Sequence, residues 1–457
     1  QEVEFRPSLL DLIELREGTM FPRLVPSTSP LLAVAEVPGR SGGPTNNGAD
    51  GGAAAAAFGP PPPLGGGGGG DSCGAAASRY VVFDFGTLAT SLAREETTAA
   101  CDVLIARAPT RSSVLFDCTV DGRALAAAHP VQFRSPNKRV VAALAYPGAA
   151  QEGGTVRVQR CDSSTFSALL LSEWPCSELA ATTMAVVVVP SFFDYKASAD
   201  ARIAWYTNFA HSHLFLAWDS PLLAQDELQA LEFPVLVSLR LALLREAPAH
   251  AHTRGRDGAA TPVLVQGVQR RCAIDTIAAP SIYGNAFARA SAELVRARVA
   301  VLEPGGAASN IYAFEAPPSG RGRYTHEQLR DILKAAYSTF RAVVLTGTEP
   351  DAAADGSAAG GVGVDAAASA EVELHTGYWG CGAYGGNRVL MVLLQLIAAR
   401  LAGVPHVCIH TAPGSEDGRD AHAAIELLEH ASVDSGLSEL VGWVYDKGFK
   451  WGVSDGN

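Results

Sequence analysis

The stretch HTGYWGCGAYGGNRVLMVLLQLIAARLAG, residues 375–403, restricts the fold of this chain more than any other. Five glycines fall between positions 377 and 386, and a long apolar run follows at once. A helix that is apolar on nearly every side must be buried. The turn ahead of it must therefore be tight and free of bulky side chains. A glycine-rich turn opening a helix is also a place where phosphate oxygens can meet backbone N–H groups. A strand-to-helix turn with no ligand satisfies the same pattern.

The rest of the chain supplies two grammars. From Arg79 to about Cys161 the runs YVVFDFG, CDVLIARAP, SVLFDCTVDG, VVAALAYPG and TVRVQRCD are short and are punctuated by Gly, Pro, Asn and Asp. They predict a β-rich, sandwich-like domain over 79–180. Beyond about Thr183, strands alternate with helices. MAVVVVPS, ARIAWYTNFA, PVLVSLRLALL, PVLVQGVQ, RARVAVLEP and PHVCIHT read as buried strands. THEQLRDILKAAYSTFR reads as a helix, with Thr325 and Gln328 as a capping box and Leu329, Ile332, Leu333, Ala336, Tyr337 and Phe340 on one face. This alternation predicts a mixed α/β domain over 183–457.

Two low-complexity stretches interrupt the chain. Residues 41–78 are rich in Gly, Pro and Ala and are expected to form a disordered linker, and a second such insert lies near 350–370. Residues 1–40 are apolar but broken by prolines and are expected to act as a docking arm. At about 150 residues per domain, 457 residues suffice for two or three domains.

The net charge of -12 argues against direct nucleic-acid binding. Eight scattered cysteines with no Cys-x-x-Cys pair suit reduced thiols in an intracellular protein rather than a disulfide framework or a zinc site. The pairs His211/His213 and His250/His252 have no cysteine or carboxylate at ligand spacing, so they are read as surface loops and no metal is expected. The most apolar run, 389–404, is too short to span a membrane and carries Gln395 and Arg400. The chain opens on Gln1 without a methionine, so targeting signals are not read from it.

The sequence TGYWGCGAYGGN followed by VLLQLIAARLAG resembles the second signature of the poly(ADP-ribose) glycohydrolases. Further segments resemble that family in the same order: NFA at 208–210, AQDELQALEFPVLVSLRL, VLVQGVQ, SIYGNAFARA, VAVLEP, LKAAYSTF and SEDGRDAHAAIELLEH. The resemblance runs from about Arg202 to Asp446. It implies an α/β macrodomain-like mixed sheet with flanking helices, here preceded by the smaller β-rich domain. It also implies a hydrolase without cofactor that cleaves ribose–ribose bonds of poly(ADP-ribose).

In the family, the second glutamate of a Gln-Glu-Glu triplet protonates the leaving oxygen, and a triple-glycine loop wraps the diphosphate. The triplet here is Gln225-Asp226-Glu227, so the resemblance places Glu227 as general acid and Asp226 as a shortened first carboxylate. A solvated glutamate at a helix start is the alternative reading of Glu227. The resemblance further implies ligand contacts from Asn208, Gln225, Tyr283 and Asn285, and from the turn Gly377, Gly380, Cys381, Gly382, Ala383, Tyr384 and Gly385. Leu216, Ala217 and Trp218 stand where the triple glycine belongs, and Thr411 stands at a stacking phenylalanine. Trp379 is expected in the core.

Two functions remain open on these residues. One is an active glycohydrolase. The other is a pseudoenzyme with weak or lost hydrolysis, serving as a structural or docking component of a large assembly, with a cilium or another cytoskeletal array as one setting. ADP-ribose or poly(ADP-ribose) and protein partners are the expected ligands.

Overall fold

The computed structural model describes residues 24–26, 32–37, 79–84, 103–106, 111–146, 153–171, 184–196, 202–303, 305–317, 320–347, 371–411, 417–431 and 436–455. The expected linker and the expected insert both lie outside the described residues. The chain divides into two units, 1–100 and 101–457. In the first, β1 (Leu24–Pro26), β2 (Leu32–Val37) and β3 (Arg79–Asp84) form an antiparallel three-stranded sheet. Two strands of this sheet fall within residues 1–40, the stretch expected to be a docking arm.

The second unit is built on a nine-stranded mixed sheet. Its N-terminal elements are β4 (Ile105–Ala106), β5 (Val114–Asp121), α1 (Gly122–Ala128), α2 (Pro136–Ala145), β6 (Thr155–Cys161) and α3 (Ser164–Leu171). Next come β7 (Ala185–Val189), β8 (Ile203–Ala210), α4 (Gln225–Glu232), α5 (Pro234–Glu246) and β9 (Val263–Val268). A separate two-stranded sheet pairs β10 (Cys272–Ile274) with β11 (Val299–Val301), and α6 (Ala286–Arg289) and α7 (Ala292–Arg298) lie between them in sequence. The chain closes with β12 (Ser309–Glu315), α8 (His326–Gly347), β13 (Val372–Gly377), α9 (Arg388–Ala402), β14 (His406–His410), α10 (Asp417–Glu429) and α11 (Leu437–Asp446).

The sheet order is β4-β5-β6-β9-β12-β8-β13-β14-β7. The run β12-β8-β13-β14-β7 is parallel and the β4-β5-β6-β9-β12 side is antiparallel. A parallel half needs cover on both faces. α8 and α9 pack on each other, and α9 also packs on α10. Nearly every residue of α9 is buried, as its composition demands. It starts at Arg388, directly after the glycine turn. Asn387 caps it, its side chain accepting from Leu390 N–H at 3.1 Å. The capping box of α8 is present, with Thr325 and Gln328 exchanging side-chain-to-backbone bonds at 3.0 and 3.2 Å.

Three expectations are corrected. The separate β-rich domain does not stand apart over its described residues beyond 103, because β6 pairs with β9 and so β5 and β6 continue the main sheet. VVAALAYPG belongs to helix α2 rather than a strand. Ser135 then Pro136 is a helix-start pattern that outweighs the β-branched pair behind it. PVLVSLRLALL is helix α5, again with proline in the first turn. It is buried almost all round, so period alone does not separate it from a buried strand.

The burial of α9 makes a measurable forecast. Leu393→Ala should lower unfolding stability by about 2–5 kcal/mol, and Asn387→Ala by about 1 kcal/mol. Urea unfolding of the two variants should keep that order.

Candidate active site

The ends of β8 and β13 bring three chain segments together. The first is the N-terminus of α4. Gln225 binds the end of β8 as an extra strand would. Its Oε1 accepts from Phe209 N–H at 2.8 Å and its Nε2 donates to the Thr207 carbonyl at 2.9 Å. One turn on, Gln229 donates to the same carbonyl and accepts from Asn208 Nδ2 at 2.9 Å. Asn208 is fully buried and turned toward α4, and its Oδ1 has no partner among the described residues.

Glu227 therefore sits on a helix start that cannot slide. It is 3% exposed, and its Oε2 accepts from Ala224 N–H at 3.0 Å. Burial pushes its carboxyl well above the ordinary carboxylate range, and the neighbouring Asp226 charge adds to this while Lys138 opposes it. Such a group holds its proton at a pH where an exposed glutamate has lost it, which is what proton donation to a leaving oxygen requires. Asp226 is half-buried beside it.

The second segment is the 211–224 loop, which carries Leu216, Ala217 and Trp218. Residues 214–219 form a run of turns. Leu216 N–H donates to His213, Trp218 N–H to Phe215 and Ser220 N–H to Ala217. Leu214, Phe215 and Ala217 are buried. Trp218 packs on Phe133 with ring centroids 5.4 Å apart. Lys138 from α2 is fully buried, and its Nζ donates to the Trp218 carbonyl at 2.8 Å and the Ala217 carbonyl at 3.4 Å. Burial lowers this amine to about 8, against the pull of Glu227, Asp226 and Asp219. Arg134 N–H donates to Asp219 at 2.6 Å. Asn137 donates to the carbonyls of Phe287 and Ala290 at 2.6 and 2.9 Å. One helix start thus ties the loop to the segment carrying Tyr283 and Asn285.

Sequence reasoning missed Lys138. The Ser-Pro helix start was the signal that could have placed it.

Tyr283 stacks on Phe192 with centroids 5.2 Å apart. Its hydroxyl is pushed up by burial and by the charges of Glu227 and Asp226, and it accepts from the Gln225 N–H. It therefore reaches the α4 start. Asn285 opens α6 as a half-buried residue.

The third segment is the glycine turn. Gly380 has φ +72°, and a Cβ there would meet the Ala316 Cβ at 2.5 Å. Gly385 has φ +64°, and its Cβ would meet Ser454 N at 2.9 Å. Both glycines answer to the protein's own packing. Trp379 is fully buried, stacked on Phe314 at 4.1 Å, in the core as expected. Tyr384 donates to Glu315 Oε1 at 3.0 Å. Cys381, Gly382 and Ala383 are half-buried, and burial raises the Cys381 thiol. Residues 450–455 lie along the turn. Gly452 N–H donates to the Gly385 carbonyl at 2.8 Å, and Asp455 N–H reaches the Gly382 carbonyl at 3.4 Å. The Asp455 charge also acts on Tyr283 and Cys381. Thr411 is buried, so it presents no stacking face.

The model of the family described as poly(ADP-ribose) glycohydrolase, macro domain fold, matches residues 290–416. Over residues 290–416 the chain thus carries the C-terminal part of a poly(ADP-ribose) glycohydrolase catalytic domain of macro domain fold. The matched stretch holds the glycine turn, α9 and β14, whereas Glu227 and the 211–224 loop precede it. Among solved structures, the poly(ADP-ribose) glycohydrolase of Thermomonospora curvata is 17% identical, aligning over 67% of this chain and 98% of that one with a TM-score of 0.37. The same protein bound to the inhibitor ADP-HPD aligns at 16% identity over the same shares, TM-score 0.35. The glycohydrolase of Deinococcus radiodurans in complex with ADP-ribose is 11% identical over 60% of this chain and 94% of that one, TM-score 0.34. A comparison with the curated proteins finds no match.

The raised Glu227 carboxyl has a consequence for stability in this glycohydrolase-like chain. The native state holds a proton that the unfolded chain releases above about pH 4.3. Glu227's contribution is therefore fullest below that pH and declines as pH rises toward its folded-state value. Glu227→Gln should remove this decline, so urea unfolding between about pH 4 and pH 8 should show the variant gaining on the wild type as pH rises. Parallel curves would contradict a buried, proton-holding carboxyl.

Proposed function

We propose that this chain is a poly(ADP-ribose) glycohydrolase-like protein with weak or lost hydrolysis, acting as a docking component of a larger intracellular assembly. One observation carries this reading. A loop that wraps a diphosphate must offer N–H groups, but the 213–220 turn engages three of its own internally and aims two carbonyls at the Lys138 ammonium. Its buried side chains hold it in that shape. Misplacing a substrate by about 1 Å can cost on the order of a hundredfold in rate. A chain that keeps the macrodomain scaffold without the donors keeps surfaces rather than turnover.

A second reading rests on Glu227. Its buried, proton-holding carboxyl on a fixed helix start suits an active glycohydrolase with ADP-ribose units as its ligand. Release of ADP-ribose from poly(ADP-ribose) by the purified chain separates the two. The expected outcome is slow or no release, unchanged in Glu227→Gln. Rapid release that disappears in Glu227→Gln would establish the active enzyme instead.

A further inference from the structure

A second group of polar side chains lies on the face of β13 and β14, outside the loops described above. Residues two apart on a strand share a face, so Glu373 and His375 stand together on β13 and Cys408 and His410 on β14. The parallel register sets His375 opposite Cys408. Donor atoms of Glu373, His375 and Cys408 all lie within 4.8 Å of one another.

The hydrogen bonds fix the polarity of this group. His410 Nδ1 lies 3.1 Å from the Ser191 carbonyl, which can only accept, so Nδ1 carries the proton. In a neutral imidazole the other nitrogen, Nε2, is then an acceptor. It lies 2.9 Å from His375 Nδ1, which must donate to it. His375 Nε2 is left with a lone pair, and it faces Glu373 Oε1 at 3.0 Å. Two acceptors cannot rest at that distance with nothing positive between them. A proton held between them or a metal ion supplies that charge, and the Cys408 sulfur beside them adds the third donor that an ion uses and a proton does not.

The surroundings suit a metal. Arg202 donates to the other Glu373 oxygen, Oε2, at 2.9 Å and so aims Oε1 at His375. Tyr206 stacks on the His375 ring at 4.2 Å and sets its plane. The His410–Ser191 relay selects the tautomer that leaves Nε2 for the ion, as outer partners of metal-bound histidines do. We propose that His375 Nε2, Glu373 Oε1 and Cys408 Sγ form a binding site for a zinc-class divalent ion, which ties β13 to β14 two residues before Gly377. A thiolate, an imidazole and a carboxylate together suit zinc and disfavour magnesium or calcium. Three protein donors leave one tetrahedral position for water. Atoms on a ~2.0–2.3 Å shell stand ~3.3–3.7 Å apart, so His375 Nε2 and Glu373 Oε1, now 3.0 Å apart, open by a few tenths of an ångström, and Cys408 Sγ, within 4.8 Å, closes in by at most about 1 Å. Binding takes the Cys408 proton off to solvent and leaves the sulfur as thiolate.

The test uses the full chain, stripped with a chelator and titrated with Zn²⁺ and, separately, Co²⁺. The expected result is one tightly held Zn²⁺ per chain and a sulfur-to-cobalt charge-transfer band. Cys408→Ser should abolish the band and weaken Zn²⁺ binding at least about a hundredfold. His410→Gln, one step outside the ligands, should weaken it about ten- to a hundredfold. His213→Ala should leave binding intact, since the paired rings of His213 and His252, 4.7 Å apart, are the competing imidazole cluster. Circular dichroism of each stripped variant separates lost ligation from lost folding. Should Cys408→Ser fail to fold, the wild-type cobalt band decides. A folded wild type without stoichiometric Zn²⁺, or without the band, overturns the site, as does loss of binding in His213→Ala alone.

Discussion

The burial of α9 is the constraint on which the parallel half of this structure rests. Its residues from Leu390 to Ala402 are buried almost without a break, with α8 on one side and α10 on another. Such a helix has no wet face to adjust, so its entry point is fixed. The chain must leave β13 at Gly377 and start α9 at Arg388 across the face of Phe314 and Ala316. A stacked Trp379, a left-handed Gly380 and a capping Asn387 achieve this. The glycines are therefore first a packing requirement. Any phosphate contact would use what that requirement leaves open, namely the half-buried part of the turn from Cys381 to Ala383.

The α4 side of the site is held by polar bonds as well as apolar packing. Gln225 and Gln229 fasten α4 to the last residues of β8, and α2 fastens the facing loops through Arg134, Asn137 and Lys138. The two halves have moved apart in character. The glycine half is shaped by tight backbone packing, while in the other a lysine ammonium and buried aliphatic groups fill the 214–219 loop. Glu227 lies at the seam, shielded well enough to hold its proton and close enough to Lys138 to feel an opposing charge. This combination of a poised acid and a closed loop is what makes turnover a question of geometry more than of residue identity.

The sequence by itself carried the likeness to the poly(ADP-ribose) glycohydrolases, the mixed α/β character, a capped helix over 325–341, and the start of α9 after the glycine turn. Each rests on short-range patterns: a 3.6-residue period, a capping box, a specific glycine spacing. It also marked Gln225, Glu227 and Tyr283, which the structure does bring together at one helix start. Tertiary structure alone decided the rest. The run at 234–244 reads equally as strand or helix because burial on nearly all sides erases the period, whereas the short run at 138–146 is settled by the Ser-Pro helix start before it. The join of β6 to β9 merged an expected separate domain into the main sheet, and strand pairing across a hundred residues leaves no local mark. Lys138 became part of the site only when α2 docked on the 211–224 loop. Glu373, His375, Cys408 and His410 became one group only when β13 and β14 paired in register, because side chains on neighbouring strands meet through the pleat and not through spacing along the chain.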